Sequence, residues 1–205
     1  MKRLGYFSLA ILLLSIIAGT LIGCKPKQVK DVIEGDAAGK VYVAPGKYDE
    51  LYMFTSGGFS GQIGVYGLPS GRLLKVVPVF SQNPENGYGY SEETKPMLNT
   101  SGGFVTWDDA HHTEMSQTNG EIDGRWLFIN GNNTPRIARI NLADFKTEEI
   151  IEIPNCAGNH ASPFITPNSE YVVSATRFSI PVQSNPDVPI NSYSSNFRGT
   201  ISFVK

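Results

Sequence analysis

Histidine, cysteine and tryptophan are scarce in this sequence, at three, two and two among 205 residues. Each scarcity excludes something. Two cysteines cannot build a disulfide scaffold. Three histidines confine any imidazole chemistry to two places, the adjacent pair His111-His112 and His160. Charge of one sign is also missing: 17 Lys and Arg stand against 19 Asp and Glu, a formal net charge of −2. That balance lacks the basic footprint of a nucleic-acid partner or of a general attraction to anionic membranes. What is abundant is turn chemistry, with 21 Gly and 13 Pro, alongside 11% aromatics. The combination points to a turn-rich, β-rich globular chain.

The first residues have a different character. Lys2 and Arg3 precede a short apolar core, Tyr6 to Leu14 with Ile16 to Ala18, which Ser15 and Gly19 interrupt. Residues 1–23 read as an export signal, and Leu21-Ile22-Gly23-Cys24 resembles the lipobox of bacterial lipoproteins. In that pattern Cys24 is lipidated and becomes the first residue of the mature chain. The competing reading is an uncleaved transmembrane anchor, for which the apolar core is short. Acyl chains embed at about 0.8 kcal/mol per methylene, so a periplasmic, membrane-tethered lipoprotein is expected. Residues 24–47 are polar, without sustained periodicity, and read as a flexible tether.

From residue 48 to 205 the chain is a run of short β-like segments between turns. Asp49 to Thr55, Gln62 to Tyr66 and Leu73 to Val79 are predicted strands; residues 81–101 read as a long polar loop, a kind more often functional than idle. Gly124 to Asn130, Arg136 to Asn141, Glu148 to Ile153, Tyr171 to Ala175 and Gly199 to Lys205 follow as strands. Aromatic strand starts recur at Trp126 and Tyr171, within the roughly 40–50-residue spacing of a β-propeller blade. The expected fold is therefore all-β, a partial propeller, with ordinary sandwich hairpins as the alternative. The segment after the tether holds only about three or four blades, near the minimum of the 4–8 that close a ring. The chain is accordingly expected to be the front part of a longer protein.

The chemistry concentrates in Thr106-Trp107-Asp108-Asp109-Ala110-His111-His112-Thr113-Glu114 and in Gly158-Asn159-His160-Ala161. Neutral imidazole is the commonest protein ligand for transition metals, and a nearby carboxylate sets which ring nitrogen faces the ion. Equivalent positions of neighbouring blades converge on a propeller's channel, which would bring His160 to the pair. Adjacent side chains on an extended segment point to opposite faces, so two ions, each taking one imidazole of the pair, fit better than one shared ion. A His-His pair in a surface loop without metal is the competing reading. Asp109 serves equally well as a turn-capping carboxylate. Cys156 suits a small buried filler better than a thiolate copper ligand.

Trp107-Asp108-Asp109-Ala110-His111-His112, followed by Asp123 to Ile140, resembles the N-terminal region of nitrous oxide reductases. The likeness runs from about Leu51 to Phe178. It implies a seven-bladed propeller whose channel holds a tetranuclear copper–sulfide centre on seven histidines. It further implies a separate cupredoxin domain with a dinuclear copper electron-entry site. On that resemblance His111, His112 and His160 are three copper ligands, and Asp109 and Glu114 stand behind them. The implied reaction is the reduction of nitrous oxide to dinitrogen and water in denitrification. The implied partners are a periplasmic cytochrome or cupredoxin donor, the membrane through the lipid anchor, and a second copy in a homodimer of the full-length protein.

This sequence departs from the pattern in places. Glu114 stands where many members carry a further histidine. The leader resembles the branch exported through the general secretory route. The dinuclear copper motif and the calcium-binding segment are absent, so this stretch alone is expected to be inactive. The alternative from another class is a lipid-anchored propeller that binds a partner or glycan without catalysis; a different propeller metalloenzyme is a third.

Overall fold

A computed structural model describes residues 37–205, apart from 155, 157, 178–179 and 182–188. The export signal, Cys24, the first part of the tether and the Phe178 limit of the resemblance lie outside the described residues. The chain divides into Met1–Lys40, of which only 37–40 are described, and Val41–Lys205. A five-residue helix, α1 (Ala37–Val41), lies in the stretch read as tether, and it has no buried residue.

The rest is antiparallel β structure. Strands β1 (Leu51–Ser56), β2 (Gln62–Leu68) and β3 (Leu73–Pro78) form one sheet in that order. The two-residue strands β4 (Asn99–Thr100) and β5 (Gly103–Phe104) pair with each other. Strands β6 (Ala110–Thr118), β7 (Glu121–Gly131), β8 (Arg136–Asn141) and β9 (Lys146–Glu152) form a four-stranded meander. Then β10 (Ala161–Ile165), β11 (Val172–Ala175) and β14 (Ile201–Val204) form a third sheet, while β12 (Ile180–Pro181) pairs with β13 (Phe197–Arg198). The fold is all-β. The four-stranded meander is the unit expected of a propeller blade.

The turn between β6 and β7 shows how local chemistry sets the register. Asn119 and Gly120 both take positive φ, 53° and 80°, the requirement of a type I′ hairpin, which Asn-Gly meets with least strain. Thr118 and Glu121 consequently face each other.

Period-two alternation then sends the central sheet's side chains into two different cores. Leu127, Ile129, Ala138 and Ile140 pack with Ile63, Val65, Val77, Val79 and Phe80 from the first sheet's side. Phe128 and Ile137, one position out of phase, pack with Ile153, Ile165 and Val172 on the other side. Full burial of each such side chain is worth about 1.5–3 kcal/mol, so β7 and β8 are fixed on both faces. The polar loop at 81–98 also has a packing role. Phe80 and Leu98 are buried at its ends, and Tyr88 donates its hydroxyl to the Val79 carbonyl at 2.7 Å.

Candidate metal centre

The segment that carries the histidine pair rests on a buried ion pair. Asp108 and Arg136 are both 0% exposed, with Nη2 and Oδ2 3.3 Å apart. The Asp108 carboxylate also accepts the backbone N–H groups of Asp109 (2.8 Å) and Asn133 (2.9 Å) and the Thr134 hydroxyl. Arg136 Nε donates to Thr134 Oγ1 at 2.6 Å, and its guanidinium lies over the Phe80 ring. Burial lowers the Arg136 pKa, and Asp108 pulls it back. An isolated charge at this depth would be prohibitive, so the pair and its hydrogen bonds are mutually obligatory.

Just ahead of Asp108, Trp107 stacks on Phe59 (5.8 Å between centroids) and donates Nε1–H to the Phe59 carbonyl at 2.5 Å. Ala110 N–H bonds the Gly58 carbonyl at 3.0 Å. Gly58 has φ +57°, a conformation that disfavours a side chain. Gly58 thus backs the start of the strand that carries the histidine pair.

Beyond Asp109 the register of β6 against β7 slips. Ala110 faces Gly131, but Thr113 faces Ile129, which leaves one extra residue on β6. Such a bulge kinks the strand and re-aims its side chains. The expectation that adjacent histidines diverge therefore fails here: the His111 and His112 rings are edge-to-face with centroids 4.4 Å apart. His160, just before β10, joins them at 4.2 Å from His111 and 5.4 Å from His112. One nitrogen from each of the three rings lies within 4.8 Å of the others.

The donors suit a transition metal. Two nitrogens at about 2.0–2.1 Å from one ion are at most about 4.2 Å apart, so rings at the 4.8 Å limit would have to close in to share an ion, whereas neighbouring ions on different rings would need no such movement. Asp109 is buried, and its Oδ2 lies 3.3 Å from His111 Nδ1. The Asn132 side-chain amide also donates to that oxygen at 3.0 Å. A carboxylate beside Nδ1 favours Nε2 as the nitrogen offered to a metal. Burial lowers the pKa of His112 and of His160 below the ordinary 6.5, with the His111 charge acting in the same direction. That direction favours the neutral ring, the form that coordinates metal. An all-imidazole set backed by a carboxylate fits copper, zinc, iron or nickel.

The structure brings His111, His112, His160 and Asp109 together. Glu114 is not in the ligand-forming group, and its carboxylate makes no hydrogen bond or ion pair among the described residues; burial raises its pKa. Cys156 is half-buried beside the second core, donates to the Gly158 carbonyl at 3.4 Å, and has its thiol pKa raised by burial. Asp108, Arg136, Asn130 and Asn159 were not singled out by the sequence reading. The available signal was a polar residue ending an apolar run, Trp126 to Asn130.

Chain and site together define an all-β protein with a three-histidine centre suited to a transition metal. No family model matches the chain. Among curated proteins, the nitrous-oxide reductase of Pseudomonas fluorescens is 38% identical over 147 residues, covering 71% of this chain and 23% of that protein. That of Stutzerimonas stutzeri is 37% identical over 143 residues, 69% of this chain and 22% of the relative. That of Cupriavidus necator is 34% identical over 172 residues, 78% of this chain and 27% of the relative. The chain is related to the nitrous-oxide reductases, and it spans about a quarter of the length of the curated relatives it matches.

Proposed function

We propose that the complete protein reduces nitrous oxide to dinitrogen and water, taking up two electrons and two protons, and that His111, His112 and His160 are copper ligands. The observation that carries this reading is the meeting of three imidazoles in a chain related to nitrous-oxide reductases. Copper, when bound, supplies a reservoir of electrons for a substrate that is itself a poor ligand. The chain's own residues have separable tasks. The three imidazoles hold the metal and leave one side open. Asp109 fixes the His111 ring, and the Asp108–Arg136 pair holds the segment from which both project. Glu114, two positions beyond His112, is proposed to back the ligands from the same strand.

The finer reading keeps a tetranuclear copper–sulfide centre within a seven-bladed propeller, the remaining ligands being supplied by parts of the complete protein outside this chain. Electrons would enter from a periplasmic cytochrome or cupredoxin through a dinuclear copper domain. The protein would act in denitrification as a homodimer, lipid-anchored through Cys24 at the periplasmic face of a membrane. The test is nitrous oxide consumption by the complete protein with a reduced viologen, before and after copper removal. Activity that requires copper is expected. Undiminished activity in copper-free protein would defeat the proposal.

A further inference from the structure

We infer that Asn130 is a positioning residue that locks two of the three histidine ligands to each other through the backbone. The inference rests on the reading of those histidines as a copper site. It begins at the bulge, where the slip between Ala110 and Thr113 takes His112 N–H out of the regular ladder with β7. That N–H is instead accepted by Asn130 Oδ1 at 2.8 Å. The other end of the same amide, Nδ2, donates to the backbone carbonyl of Asn159, and Asn159 immediately precedes His160. The Asn159 side-chain oxygen in turn accepts the Ser174 hydroxyl from β11.

Asn130 and Asn159 are 0% exposed and Ser174 is 2% exposed, so these bonds form out of reach of water. Only one orientation of the Asn130 amide satisfies both partners, because its oxygen must face an N–H and its nitrogen a carbonyl. A buried amide is tolerated only where its groups are bonded. Here each bond ends on backbone that carries a ligand: one on His112 itself, the other next to His160. A residue serving only to complete the β7 core would be apolar, like Leu127 and Ile129 before it. The other end of β6 is held separately to the turn before β11. Gln117 N–H donates to Ser169 Oγ and Asn119 N–H to Asn168 Oδ1, both at 2.8 Å. Packing of the hairpin is thus secured independently, which leaves Asn130 to set the spacing of the ligands.

The test uses the complete protein, stripped of metal and titrated with copper. Asn130→Asp keeps the shape and the acceptor but loses the donor at neutral pH; Asn130→Leu loses both. Thr147→Val is the control, since it cuts a buried hydrogen bond (2.8 Å, to the Pro78 carbonyl) that joins β9 to β3 and no ligand segment. Both Asn130 variants are expected to lose about 10–100-fold in copper affinity and to shift the visible spectrum of the copper that still binds. Thr147→Val should lower the melting temperature while leaving affinity and spectrum at wild-type values. Should one Asn130 variant fail to fold, the other decides the matter. Wild-type affinity and spectrum in a folded Asn130 variant would overturn the positioning role alone, as would an equal loss of affinity in Thr147→Val. A wild-type protein that takes up no copper would overturn the copper reading, and this inference with it.

Discussion

A carboxylate beside one ring nitrogen of a histidine decides which nitrogen is left for a metal, and in the proposed reading Asp109, 3.3 Å from His111 Nδ1, would make that choice. It is a buried residue whose carboxylate is itself tied to the Asn132 amide, so its own position is fixed. Asp109→Asn keeps the volume but removes the charge and one acceptor. The substitution is expected to weaken copper binding by about 10–100-fold with little change in the unfolding midpoint of the metal-free protein. Copper titration beside chemical denaturation checks this, and unchanged affinity would remove Asp109 from the site. Its neighbour Asp108 belongs to a different problem. That carboxylate answers Arg136 in the core and orders the backbone on which Asp109 and the histidines stand. Two adjacent aspartates thus face different ways, one toward the core and one toward the histidines.

At the scale of elements, the β6–β7 hairpin carries the His111-His112 pair and an acid-sensitive carboxylate. Asp123 bonds the Arg125 guanidinium at 2.7 and 2.9 Å, and it also accepts from the Ser116 and Thr118 hydroxyls. The Arg125 hydrogen bonds above all hold its carboxyl far below the ordinary 3.8. A depressed folded-state pKa means the stabilisation is complete above that ordinary value and is lost as pH falls through the folded-state value. Amide exchange in the hairpin is therefore expected to accelerate as pH falls below 3.8, beyond the intrinsic pH effect. In Asp123→Asn the hairpin should be looser at neutral pH and nearly flat across that range. Identical profiles for the two proteins would count against the assignment. Strands with clean alternation were legible in the sequence, and Arg136 to Asn141 is β8 to the residue. Strands β6 and β10 were not, because register slips interrupt both and Pro163 breaks the apolar pattern of β10. The same slip in β6 hid the convergence of His111 with His112. The partnership of Asp108 with Arg136 spans 28 residues and leaves no local pattern to read.

At the scale of the molecule, the central sheet is clamped between two cores, and the three histidines sit where one sheet hands over to the next. His111 and His112 come from the first strand of the four-stranded meander, and His160 from the segment that opens the following sheet. Blade-by-blade contribution of side chains is what a propeller channel would do; the expectation that His160 would reach the pair depended on that fold, and the rings do meet. A metal held by these groups from two sheets would bind the folded state only. Its uptake should therefore raise stability, by about 2.7 kcal/mol at a free concentration one hundred times the dissociation constant. The most direct measurement of the central claim is X-ray absorption at the copper edge of the complete protein, together with copper content, in wild type and in His111→Ala, His112→Ala and His160→Ala. Imidazole nitrogen scattering in the wild type is expected, with copper lost or its coordination altered in each variant. Copper retained in all three variants with the wild-type spectrum would contradict the assignment of these histidines as its ligands.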